Sequence, residues 1–227
     1  MKVLVATEKP FAKVAVDGIR EVVEGAGYEL ALGLMVYAVR NLYNGTSGTE
    51  LKGKKLGIHA FGNVGRNVAR IAQGFGMDVY AYDAYCPDEA MIAANVKPVH
   101  SAEELYKTCD IVSLHIPATA ETKNSINHDL VGLMPKGGIL VNTARKEVID
   151  EDGLIALMQE RADLKYMTDI MPVADAKFRT LFEGRYFATP KKMGAQTAEA
   201  NINAGIAAAK QIVDFIQNGN TRFQVNK

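Results

Sequence analysis

The sequence predicts an α/β fold, a doubly wound parallel sheet with helices on both faces. From Leu51 onward, short apolar runs alternate with stretches of helical apolar spacing. A glycine-rich turn, Ala60-x-Gly62-x-x-Gly65, falls between one such strand and the helix after it. The next strand closes on an acid, Asp83, eighteen residues beyond Gly65.

The elements follow from apolar periodicity and breakers. Lys2–Ala6 reads as a strand. Lys13–Glu24 reads as a helix, stopped by Gly25-Ala26-Gly27. Tyr28–Tyr43 is one apolar stretch, in which Glu29–Leu32 reads as a strand that passes without a turn into a long buried helix. Asn44–Gly48 is a loop. Strands are expected at Lys55–Ala60, Met77–Tyr82, Asp110–His115, Gly138–Asn142 and Lys165–Thr168, the last ending on Asp169. Helices are expected at Asn63–Phe75, Ala102–Lys107 and Glu151–Glu160, and a long amphipathic one at Ala195–Asn218.

Composition narrows the function. Lysine plus arginine equals aspartate plus glutamate at 26 each, so there is no electrostatic case for nucleic acid as the main partner. Two isolated cysteines, Cys86 and Cys109, form neither a disulfide framework nor a zinc knuckle and fit a reducing compartment. No metal site is expected. The N-terminal apolar run is too short for a signal peptide and no stretch is long enough to span a membrane, so the expectation is a cytoplasmic chain without a membrane partner.

The strand–turn–helix context gives the glycine pattern its meaning. Gly62 lets the backbone approach a pyrophosphate. Gly65 lets the helix pack on the strand, and Asn63 and Val64 supply the nearest amides of a helix N-terminus. Ala60 replaces the usual first glycine and serves if its φ stays negative. Asp83 can accept both ribose hydroxyls and would repel a 2′-phosphate, which favours NAD over NADP. This is a Rossmann-like nucleotide fold.

Three further segments carry a family signature. They are Asp110–Thr122, which contains Leu114-His115-Ile116-Pro117-Ala118-Thr119-Ala120-Glu121-Thr122; Gly138–Arg145, which contains Asn142-Thr143-Ala144-Arg145; and Thr168-Asp169-Ile170 followed by Thr189–Thr197. In this order and spacing the chain resembles the D-2-hydroxyacid dehydrogenases, and among them the phosphoglycerate type, from Leu51 to the C-terminus. The resemblance implies hydride transfer between C2 of a small 2-hydroxy or 2-oxo acid and NAD, and a homodimer. By the same resemblance, Arg145 grips the substrate carboxylate and carbonyl, as a planar guanidinium can. Asp169 lies near the nicotinamide carboxamide. Thr143 and Ala144 run along the cofactor, and Pro117 and Thr122 flank it. His115 lines the cofactor or is structural, and Gly194 contributes cofactor-contacting backbone.

Two departures from the family pattern coincide. The family's acid–base histidine is replaced by lysine, either Lys191 or Lys192 according to which end of the segment is aligned, with Lys192 favoured. The glutamate that pairs with that histidine aligns with Ala174, one residue before Asp175. A lysine needs a lowered pKa to shuttle protons and is not helped by a carboxylate, so the two changes agree. The family also has a second α/β domain, which is expected here only in truncated form. Residues 1–32 are read as its remnant, 33–48 as the interdomain helix and loop, 49–194 as the NAD-binding domain, and 195–227 as a C-terminal helix returning to the substrate-domain side. On that reading, apolar surface over Leu30–Leu42 is exposed, and the chain is either a dehydrogenase or an NAD-binding, dimerising module with little turnover.

Overall fold

The computed structural model describes residues 27–222, so the strand and helix expected at Lys2–Ala6 and Lys13–Glu24 lie outside the described residues. In order come α1 (Gly27–Val39), β1 (Lys55–His59), α2 (Asn63–Gly74), β2 (Asp78–Tyr82), α3 (Asp88–Ala93), β3 (Lys97–Pro98), α4 (Ala102–Thr108) and β4 (Ile111–Leu114). They are followed by α5 (His128–Gly132), β5 (Ile139–Asn142), α6 (Glu151–Glu160), β6 (Lys165–Thr168), α7 (Asp175–Leu181), β7 (Tyr186–Ala188) and α8 (Ala198–Asn218). Gly27–Gly194 form one unit. Ala195 begins another, whose described part is dominated by α8, capped by Thr197 Oγ1 accepting from Ala200 N and ended by Gly219 at φ 66°.

The seven strands make one all-parallel sheet in the order β3-β2-β1-β4-β5-β6-β7. Strand alternation sorts their side chains between two cores. Ile111, Ile139, Val141 and Met167 enter one, while Val112, Leu114, Leu140 and Tyr166 enter the other. Helices α4, α5, α6 and α7 cover the second face, and α1 and α2 the first. The order reverses between β1 and β4, and the crevice beyond the carboxyl ends of such strands is where ligands bind in open α/β sheets.

One expected element is corrected. Glu29–Leu32 is not a strand; the whole of Gly27–Val39 is helix. Its sequence lacks the β-branched run a strand favours and is built from good helix formers, with Glu29 suited to the first turn. The expected apolar surface is corrected with it. Ala31, Leu34, Met35 and Ala38 recur at helical spacing and are buried with Leu32 and Val39 in the core that α2 shares. Lys165 Nζ, at the start of β6, caps the helix end by donating to Ala38 O at 2.7 Å and Asn41 Oδ1 at 2.8 Å.

Truncating a side chain on this helix distinguishes core from surface. Met35 is fully buried, so Met35→Ala is expected to cost about 2–5 kcal/mol in urea unfolding. An exposed position would change stability by only about 0.5 kcal/mol.

Candidate functional site

The turn after β1 is shaped by two hydrogen bonds. Ala60 N donates to Tyr82 O at 2.8 Å and Phe61 N to Asp83 Oδ2 at 2.7 Å. Between them Ala60 takes φ 80°, not the negative value expected for an alanine there. For a residue with a Cβ this costs about 1–2 kcal/mol, offset by the two bonds that pin the turn. A Cβ on Gly65 would overlap the Ala60 carbonyl oxygen and come within 2.9 Å of Ile58 Cγ2, so only glycine lets α2 lie this close. A Cβ on Gly62 would meet nothing within 4 Å. The space before the α2 N-terminus is therefore open, and neither a capping side chain nor an acid of the first turn competes for its amides.

Asp83 is tied into the protein. Besides Phe61 N, it accepts at Oδ1 from Tyr85 N at 2.8 Å and Cys86 N at 3.0 Å. It also lines a cavity of about 630 Å³ beyond the carboxyl ends of β1, β2 and β4, together with Ala60, Tyr85, Pro117 and Thr122. Thr122 Oγ1 donates to Pro117 O at 2.6 Å and accepts from Thr119 N at 2.8 Å, which folds the loop that forms one wall. The open turn, the uncapped helix end and the ribose acid beside a cavity fit a dinucleotide.

The two neighbouring histidines differ. His59, which the sequence reading passed over, lines the cavity and places Nδ1 3.4 Å from Tyr106 Oη. Burial pushes its pKa down to about 4, with Asp83 acting weakly the other way. His115 is not among the lining residues. Its Nε2 pairs with Ser113 Oγ at 3.0 Å, and burial, then His59, push its pKa down to about 3. Of its two expected roles, the structural one fits this placement.

The remaining predicted residues follow β5, β6 and β7. Asn142, at the end of β5, accepts from Ala144 N at 3.0 Å and donates from Nδ2 to Arg145 O at 3.0 Å. It thereby fixes the turn that carries Arg145, a positioning role the sequence reading did not assign. Arg145 is half-buried and donates from Nη1 to Ala144 O at 2.8 Å. Thr143 Oγ1 is buried without a hydrogen-bond partner. Asp169 is fully buried. Its Oδ1 accepts from Met193 N at 2.7 Å and from Thr189 Oγ1 at 2.9 Å, and its Oδ2 from Gly194 N at 2.8 Å. That clasp holds the segment bearing Lys191 and Lys192, both of them exposed. The desolvation expected for a proton-shuttling lysine is not supplied within this unit. Asp175 serves α7, accepting from Arg179 Nε at 2.8 Å and Tyr186 Oη at 2.6 Å. Burial opposes its charge, and these two bonds outweigh burial and hold its carboxyl below the usual range. Among the described residues, no group of acids, cysteines and histidines could hold a metal ion.

A family model described as D-isomer specific 2-hydroxyacid dehydrogenase, NAD binding domain, matches residues 35–185. The chain belongs to this family. It is 34% identical over 217 residues to a D-3-phosphoglycerate dehydrogenase of Haemophilus influenzae, covering 87% of this chain and 52% of that one. It is 34% identical to a hydroxypyruvate reductase of Thermotoga maritima, over 81% of this chain and 64% of the relative. The crystal structure of a cofactor (NAD+)-bound 3-phosphoglycerate dehydrogenase of Entamoeba histolytica superposes with a TM-score of 0.82 at 47% identity, covering 91% of this chain and 66% of that one. The chain thus spans about half to two thirds of the length of these relatives.

Two expectations follow from the geometry. In Asp169→Asn the amides of Met193 and Gly194 lose a charged acceptor, so the segment should open. Tryptic cleavage after Lys192, followed by intact mass, should accelerate at least about tenfold, matching the loss of roughly 1.5–3 kcal/mol. The second concerns pH. Between the unfolded value of 6.5 and about 4, the unfolded chain binds a proton that folded His59 refuses. Stability present at neutral pH is therefore lost as pH falls through that window, at about 1.4 kcal/mol per pH unit. Urea unfolding of His59→Gln between pH 6 and pH 4.5 should show a slope lower by that amount.

Proposed function

We propose that this chain forms the cofactor-binding and substrate-orienting part of an NAD-dependent D-2-hydroxyacid dehydrogenase of the phosphoglycerate type. The observation that carries this is the phosphate turn opening onto a cavity that Asp83 lines. In this reading the amides of Asn63 and Val64 receive the pyrophosphate, and Asp83 receives the ribose hydroxyls while holding the turn through Phe61 N. Gly194 and the Thr143-Ala144 backbone border the nicotinamide, which when bound supplies the hydride-accepting chemistry. Among the described residues Arg145 is engaged only at Nη1, which leaves donors for a substrate carboxylate and for polarising its C2 oxygen. Lys192, or Lys191, moves the proton at that oxygen. The substrate class is a small 2-hydroxy or 2-oxo acid, and the assembly is a homodimer.

A second reading, a binding module with little turnover, has one observation in its favour: both lysines are exposed, and Asp175, next to the position of the family's glutamate, is engaged by Arg179 and Tyr186. NADH fluorescence titration and an absorbance assay on hydroxypyruvate, glyoxylate and phosphohydroxypyruvate separate the two. The dehydrogenase reading expects turnover that Arg145→Ala lowers by at least about a hundredfold, with NADH binding retained. It expects Asp83→Ala to weaken NADH binding about tenfold or more. NADH binding without turnover on any of these acids supports the module instead.

A further inference from the structure

The cavity at the carboxyl end of β1, β2 and β4 is lined by three carboxylates, Asp83, Glu103 and Glu121, and by no lysine or arginine. They come from different places. Asp83 ends β2, Glu103 sits in the first turn of α4, and Glu121 belongs to the loop that follows β4. Among the described residues, neither glutamate takes part in an ion pair that would neutralise it. His59, the lining residue that could carry positive charge, is held neutral by burial. The guanidinium on the adjoining turn is directed elsewhere. Arg66 Nε donates to Phe61 O at 3.1 Å, Nη2 approaches Cys86 Sγ at 3.3 Å, and the group lies 5.0 Å above the Phe61 ring.

Resting on the cofactor reading above, we propose that Glu103 and Glu121 are specificity-determining residues: with Asp83, they make this cavity accept an adenosine ribose with free hydroxyls and reject one bearing a 2′-phosphate. The single-acid account gives Asp83 the whole task. Here both Asp83 oxygens already accept backbone amides, which draws off part of its field. The two glutamates restore negative potential on the other walls. The cube root of 630 Å³ is about 9 Å, close to the Debye length of about 8 Å at physiological ionic strength. A dianion inside the cavity therefore feels charges on every wall. A ribose hydroxyl carries no net charge and is largely indifferent to the glutamates.

The test measures dissociation constants for NADH and NADPH by fluorescence titration of the purified chain, wild type and Glu103→Gln/Glu121→Gln. The ratio of the NADPH to the NADH constant is expected to fall about tenfold in the double variant. Both glutamates are exposed, so the substitutions leave the core untouched. In the wild type the same ratio should fall as salt rises from about 50 mM to about 1 M, because screening weakens a field effect and spares direct hydrogen bonds. A ratio unchanged within twofold in the double variant, with NADH still bound, overturns the inference and returns selectivity to Asp83. Wild-type protein that binds neither nucleotide overturns the cofactor reading itself and this inference with it.

Discussion

The close approach of α2 to the end of β1 sets the geometry of the whole cofactor edge. It requires that Gly65 lack a Cβ, since one would overlap the Ala60 carbonyl oxygen and crowd Ile58. In the turn that joins β1 to α2, Ala60 adopts φ 80°. The strain is held because Tyr82 O and the Asp83 carboxylate, at the end of the neighbouring strand, accept the amides on either side. The α2 N-terminus then faces open space, and Asp83 stands at the cavity rim. A larger residue at 65 would move the helix, and with it the amides and the acid together.

Acids that bind backbone amides recur along this edge. Asp83 holds the turn after β1 and the chain after β2, and Asp169 clasps the Met193 and Gly194 amides. Glu151 does the same for Val173 at 2.9 Å and Ala174 at 2.7 Å. The cause is general. Loops at strand ends expose amides that no ladder partner reaches, and burying them demands an acceptor. A carboxylate serves two or three at once. Asp83 and Asp169 thus have structural work visible in the hydrogen bonds, for Asp83 alongside the ribose contact proposed for it.

The longer helices were legible in the sequence because each contains enough residues to define a period, and the central strands because each is a compact apolar run bounded by breakers. Glu151–Glu160 and Lys165–Thr168 fall where expected, and the ends of α2 and β1 shift by one residue. The misses are short. Asp88–Ala93, Lys97–Pro98, His128–Gly132, Asp175–Leu181 and Tyr186–Ala188 hold two turns of helix or fewer, or a few strand residues. Too few positions remain to separate one period from another. Glu29–Leu32 failed for the same reason: four residues with alternate leucines suit a strand face as well as one turn of helix. In the site, Ala60, Gly62, Gly65 and Asp83 were readable because their spacing is imposed by one strand–turn–helix–strand unit. Glu103 and Glu121 were not, since they come to line one cavity only after the sheet order places β2 and β4 on either side of β1. Asn142 stood within a recognised segment, yet its hold on Arg145 depends on a side-chain orientation that no spacing encodes.

The zero net charge of the chain conceals a separation that matters more than the total. At the β1–β2–β4 end of the edge, the charged side chains among the cavity's described lining residues are all carboxylates, and the histidine there is neutral. The residues after β5 and β7 bring Arg145, Lys191 and Lys192, while the acid in their midst, Asp169, is sealed under backbone amides and fully buried. Asp175 is likewise taken up by Arg179 and Tyr186. The cavity end of the edge therefore disfavours an added anion. On the cofactor reading proposed above, a dinucleotide with a neutral adenosine ribose suits that end. Because fields of this kind extend over about a Debye length, they act on a ligand before any hydrogen bond forms.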